Sequence, residues 1–172
     1  MKATIRTFQS GCGDCIFLIF EDEKSGESFH IMIDCGVFTP KIKAFVEHDL
    51  GLRIDMLIVT HYDDDHIAGI IKMLLEFGNL DIGKIIFNCF QNYDENTTAK
   101  IPTEDKELLD QYVANIHLAP IPNNTKISAP QAALLSLLLK SNDKWFKAWN
   151  RKILIEGDTM NVGSDTKWGQ LF

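Results

Sequence analysis

"LIVTHYDDDHIAGI", residues 57–70, sets two histidines and three aspartates into six consecutive positions behind an apolar run. The apolar Leu57–Val59 reads as the end of a strand. Ile67, Ile70, Ile71, Leu74 and Leu75 then recur at helical spacing. The charged cluster therefore occupies a strand-to-helix junction. In extended chain, His61 and Asp63 share one side while Tyr62 and Asp64 point elsewhere; Asp65 and His66 fall where the helix begins. Two pairs, His61 with Asp63 and Asp65 with His66, are thus expected to converge. Adjacent carboxylates repel, and burying unpaired charge costs several kcal/mol or forces neutralisation. A divalent cation turns that penalty into binding. A helix N-terminus favours each carboxylate by only about 0.3–1 kcal/mol and gives no reason for two imidazoles. The competing reading is a solvated Asp-rich helix cap; the spacing and both flanking elements favour a metal site.

Outward from this stretch, the N-terminal side reads as a β-meander. "TIRTF" (4–8), "CIFLIFED" (15–22) and "FHIMIDCG" (29–36) are strand-like, with "EKSGES" (23–28) as a polar turn. "TPKIKAFVEHDLG" (39–51) predicts a helix capped by Thr39, with Pro40 in its first turn. "RIDMLIVT" (53–60) is too apolar for a solvent face and is expected to be a central strand. Gly78 ends the helix after the cluster, and "KIIFNCF" (84–90) is a further strand. Beyond it come a polar loop (91–105), a helix carrying Leu108, Leu109, Tyr112, Val113 and Ile116, and a break at "APIPNNTK" (119–126). A helix capped by Ser128 begins near Pro130, "KILIE" (152–156) is a late strand, and "GDTMNVGSD" (157–165) is a turn. Strands separated by crossing helices give an α/β class, and residues 1–172 are expected to form a single domain.

Composition narrows the function. A net charge of −7 and a pI near 5.1 argue against a broad electrostatic grip on nucleic acid, without excluding a nucleic-acid substrate held at a metal. No apolar run approaches the roughly 20 residues that span a bilayer, and the N-terminus lacks a signal-peptide layout, so no membrane partner and a cytoplasmic location are expected. Cys12, Cys15, Cys35 and Cys89 are then expected to be reduced. "CGDC" (12–15) has redox spacing, yet a strand follows it where a reactive pair would open a helix.

"THYDDDHIAG" (60–69) resembles the signature of the metallo-β-lactamase fold, H-x-H-x-D-H followed by small residues. His61, Asp65 and His66 match three ligand positions, and Asp63 stands where the second histidine usually does. That replacement resembles the H-x-D-x-D-H variant in the hydrolase domain of competence-type DNA-uptake proteins and their soluble relatives. "GCGDCIFLIF" (11–20) and the "IDCG" end of the third strand resemble the same relatives, so the likeness covers roughly residues 8–90. It implies an αββα sandwich of two similar halves, with His61 and Asp63 on one metal, and Asp65 and His66 on a second. Asp34 and Asp14 would lie behind or beside the site. One or two divalent ions are implied: zinc first, with manganese or iron competing because a carboxylate replaces an imidazole.

The second half of such a fold adds a histidine, a metal-bridging aspartate and a last histidine. Asp158, in "KILIEGD" (152–158), is a candidate bridge, although Gly-Asp-Thr is also ordinary turn chemistry. His117 is a candidate middle histidine or a packed helix-end residue. No histidine follows Asp158, so the second half is expected to be shortened. The resemblance implies a metal-dependent hydrolase in which cations share a hydroxide that Asp65 also orients, acting on a phosphodiester or other ester, whether a small molecule or nucleic acid. Phe90 and Tyr93 could stack a base or simply pack. The alternative is a non-catalytic metal-binding remnant acting through a partner or as a homodimer.

Overall fold

The computed structural model describes residues 1–88, 129–150 and 154–158. The expected loop 91–105, the helix through Leu108–Ile116, His117, the "APIPNNTK" break, Ser128, Cys89, Phe90 and Tyr93 lie outside the described residues. Five strands form one sheet in the order β1 to β5: β1 (Lys2–Thr7), β2 (Ile16–Glu21), β3 (Ser28–Ile33), β4 (Arg53–Val59) and β5 (Asp81–Phe87). β1, β2 and β3 pair antiparallel, as a meander with short turns must. β3–β4 and β4–β5 are parallel, because a helix crosses over in each connection. The mixed α/β class read from the sequence is the observed one, and β4 is flanked on both sides as its apolarity predicted.

The first crossover is α1 (Pro40–Ala44), where the Thr39 hydroxyl accepts the Ile42 N–H at 3.3 Å and Pro40 takes a first-turn position that needs no donor. It runs on into a π-helical turn over Phe45–Asp49, which keeps Phe45 and Val46 buried. The second is α2 (Asp64–Glu76), which sinks Ile67, Ile70, Ile71, Met73 and Leu74 into the core. Each such side chain contributes about 1.5–3 kcal/mol when removed from water. α3 (Ala129–Ser141) packs on α2, and α4 (Asp143–Ala148) packs on α3 and β5. Two buried indoles fasten this layer without leaving a polar atom stranded: Trp145 donates to the Leu80 carbonyl at 2.9 Å and Trp149 to that of Phe87 at 2.8 Å.

These helices share a core with one face of the sheet, through Phe17, Met32, Leu57, Val59, Ile85 and Phe87. The other face is apolar too. Phe29, Ile31 and Met56 are buried there and Leu18, Phe20, Ile33, Ile58 and Ile86 are partly buried; among the described residues this second cluster consists of strand residues alone.

One expected element is corrected. The described part of "KILIE" is not a strand: Leu154 exchanges bonds with the Asn88 side chain, and the Ile155 N–H goes to the Asp158 carboxylate at 3.0 Å. Side chains have taken the groups a ladder would need. The chain does meet β5 just before this, through a parallel bridge between Ile85 and Trp149.

Candidate metal centre

Parallel pairing puts the C-terminal ends of β3, β4 and β5 along one edge of the sheet. Asp34 leaves β3 there, His61–His66 leave β4, and Asn88 leaves β5. Asp34 has a left-handed backbone, φ 55°, a conformation that aspartate tolerates better than most side chains. This bend keeps its N–H on the Ile58 carbonyl at 2.9 Å and turns the side chain, only 3% exposed, onto the end of β4. Oδ1 accepts the Thr60 N–H at 2.8 Å; Oδ2 accepts the Thr60 hydroxyl and lies 2.9 Å from His66 Nδ1.

The first turn of α2 is pressed against the loops that precede it. The Cys35 N–H donates to the His66 carbonyl at 2.7 Å, and the Gly69 N–H donates to the Cys35 carbonyl at 2.8 Å. Gly13 and Gly36 both abut the backbone carbonyl of Asp65, and a Cβ at either would overlap that oxygen. Here the "GCGD" and "DCG" glycines earn their positions through close approach. Asp14 lies beside this contact, exposed, with its carbonyl accepting the Gly36 N–H at 3.2 Å.

The Asp-rich stretch does not behave as a helix cap. Asp63 occupies the N-cap position, yet its side chain makes no capping bond. Its Oδ2 instead lies 3.8 Å from His61 Nε2, and Asp65 Oδ2 lies 3.5 Å from His66 Nε2. The two imidazoles lie against each other, tilted by 45°, with centroids 3.6 Å apart. Donor atoms of His61, Asp63 and Asp65 all fall within 4.8 Å of one another, as do those of Asp34, His61 and His66. Both expected pairs, His61 with Asp63 and Asp65 with His66, thus lie side by side, and His61 in addition comes within reach of Asp65 and faces His66. Asp34 accepts two hydrogen bonds from Thr60 and faces His66 Nδ1, which places it behind the histidines, less exposed than the other members of the two groups.

Nitrogen and oxygen donors this close fit a divalent cation, since ligands about 2.0–2.2 Å from one ion must approach one another to this degree. His61, His66, Asp63 and Asp65 would hold it. Asp158 lies at the same edge, tied through Leu154 to Asn88, but its carboxylate closes its own turn. Among the described residues it joins neither cluster.

Among the described residues the cysteines build no reactive pair. Cys12 is exposed, and Cys15 is buried with Cys35 as its partner. The hydrogen bond to Cys35, followed by burial, pushes the Cys15 thiol far up, opposite to a nucleophilic thiol. Missing from the sequence reading was Thr60, whose side chain bridges Asp34 and His61. Its signal was only its place beside His61 at a strand end.

Comparison with known proteins agrees with this geometry. A stretch of 52 residues is 33% identical to the hydroxyacylglutathione hydrolase of Aliivibrio fischeri (strain ATCC 700601 / ES114), covering 30% of this chain and 20% of that protein. The hydroxyacylglutathione hydrolase of Aliivibrio salmonicida (strain LFI1238) is 31% identical over 52 residues, with the same coverage. The chain thus spans about a fifth of the length of the curated relatives it matches. Residues 15–123, well over half of the 172, match the family model described as the Metallo-beta-lactamase superfamily. With its ligand-bearing loop on the edge where β3 and β4 end, the chain belongs to the metallo-β-lactamase superfamily.

Proposed function

We propose that this chain is a metal-dependent hydrolase whose substrate is a phosphodiester or another ester. The observation that carries the reading is the buried Asp34 carboxylate on His66 Nδ1, which leaves Nε2 of that ring turned toward Asp65. A carboxylate behind an imidazole raises its basicity and fixes its orientation as a ligand. Superfamily members are generally metal-dependent hydrolases, and divalent ions supply the Lewis acidity that activates water and polarises a carbonyl or phosphoryl group. In this chain His61, Asp63, Asp65 and His66 hold the ion or ions, and the exposed Asp65 carboxylate orients the attacking water. Zinc is the first candidate, with manganese and iron favoured by the carboxylate at position 63.

The H-x-D-x-D-H pattern supports a competence-type relationship and hence a phosphodiester. The names of the similar proteins put an acylated glutathione beside it in the substrate panel. A second reading, a metal-binding remnant acting through self-association, is favoured by the engagement of the Asp158 carboxylate with its own turn.

The test is metal content by mass spectrometry on tag-free protein purified without chelators, beside a His61→Ala, Asp65→Ala double variant. Hydrolysis of a phosphodiester, a carboxylic ester and an acylglutathione is then followed with added zinc, manganese or iron. One or two equivalents of metal, absent from the variant, with metal-dependent turnover of one substrate class, is the expected result. Bound metal without turnover favours the remnant, and no bound metal overturns both readings.

A further inference from the structure

Both histidines have one ring nitrogen spoken for, and both bonds lead to the same carboxylate. His66 Nδ1 meets Asp34 Oδ2 directly at 2.9 Å. His61 Nδ1 meets the Thr60 hydroxyl at 3.0 Å, and that hydroxyl donates to Asp34 Oδ2. A threonine hydroxyl has a single proton, and a carboxylate only accepts. With its proton committed to Asp34, Thr60 has only lone pairs to offer His61, so His61 Nδ1 must carry the hydrogen. Nε2 then bears the lone pair, on the side that faces Asp63. The same holds for His66, whose Nδ1–H is fixed by Asp34 itself.

We infer that Thr60 is a positioning residue: it carries the influence of the buried Asp34 to His61 and sets that ring in the Nδ1–H tautomer, with Nε2 presented as a ligand. One carboxylate thereby orients two imidazoles, one directly and one through a hydroxyl. The main-chain bond from Thr60 N–H to Asp34 Oδ1, at 2.8 Å, holds the relay in register whatever the side chain at position 60. This inference rests on the metal-site reading for its purpose, though not for its geometry.

The experiment uses the full chain without metal, at a pH where both imidazoles are neutral. Ring-nitrogen chemical shifts report which nitrogen of each histidine is protonated, and zinc affinity is measured separately by competition with a chelator. Thr60→Val removes the hydroxyl and keeps the branched shape; Thr60→Ser keeps the hydroxyl; Asp34→Asn removes the common acceptor while tolerating the left-handed backbone. The expected result is that His61 loses its Nδ1–H preference in T60V while His66 keeps it, that T60S restores His61, and that D34N disturbs both rings. Zinc affinity falls by about 10–100-fold in T60V and recovers in T60S. An unchanged His61 tautomer in T60V overturns the relay, as does equal disturbance of both rings, which would mark a general structural role. If the wild type binds no zinc but T60V still shifts His61 alone, the proposed function falls and the relay stands.

Discussion

His30 and Asp34 lie on or just after β3, and each places a buried side chain against a group of opposite character, with different results. Asp34 is satisfied by three donors. His30 is not: its Nδ1 is buried without a hydrogen bond and lies 3.6 Å from Asp55 Oδ2. Asp55 is already taken by the His30 N–H at 2.8 Å and by the Arg53 guanidinium at 2.6 Å. Burial therefore pushes the His30 imidazole below its ordinary value, with Asp55 opposing and Arg53 assisting. The native state then binds fewer protons here than the unfolded chain. The stability that His30 contributes is fully present above about pH 6.5, the ordinary imidazole value, and is lost as pH falls through the lower folded value. Thermal unfolding of wild type and His30→Gln across this range should diverge, the wild type losing stability more steeply on acidification. Parallel curves would contradict the assignment.

At the scale of elements, the seat of α2 against the preceding loops decides whether the charged residues face one another. Gly13→Ala forces a methyl group into the Asp65 carbonyl, and the loop or the helix must move. The expected cost is about 1–3 kcal/mol, accompanied by weaker zinc binding. Gly26→Ala is the comparison. Gly26, unlike Gly13, has a positive φ, 71°, but nothing lies within 4 Å of its missing side chain, so strain of about 1–2 kcal/mol should leave zinc affinity untouched. Denaturant unfolding and chelator competition on both variants separate the two effects.

The elements themselves were legible because their signals are local. Apolar runs gave β2 and β4, Thr39-Pro40 gave the start of α1, and helical spacing from Ile67 gave α2. "KILIE" has the composition of a strand, but its outcome turned on Asn88, some 66 residues away, competing for its backbone. That His61 also comes within reach of Asp65, beyond its expected pairing with Asp63, was equally out of reach. Alternation predicts sides in extended chain, and the chain enters a helix at Asp64, where that rule stops applying. Asp34 could be placed near the site from the "IDCG" ending, but its bond to His66 depends on a left-handed bend that the letters do not announce.

For the whole molecule, metal and stability should be linked. A cation that binds only the folded state adds about 2.7 kcal/mol when present at 100 times its dissociation constant. Zinc should accordingly raise the thermal midpoint of the wild type, a chelator should reverse the rise, and His66→Ala should abolish it. A wild-type midpoint indifferent to zinc, manganese and iron would count against any cation at this edge. Among the described residues no helix is long and apolar enough to cross a membrane. The family was readable from one junction, while the substrate was not. The residues that would meet a cation all follow the end of one strand, β4, whereas the walls that select a substrate are drawn from wherever the fold brings chain past that edge.

The clustering of Asp34 through His66 within the first 88 residues also has a meaning in time. Both strands, the crossover between them and the first turn of α2 leave the ribosome before α3 and α4 exist. A chain made in that order can assemble the edge, and meet the counter-ion that relieves its crowded carboxylates, while the helices that later cover its core are still being synthesised.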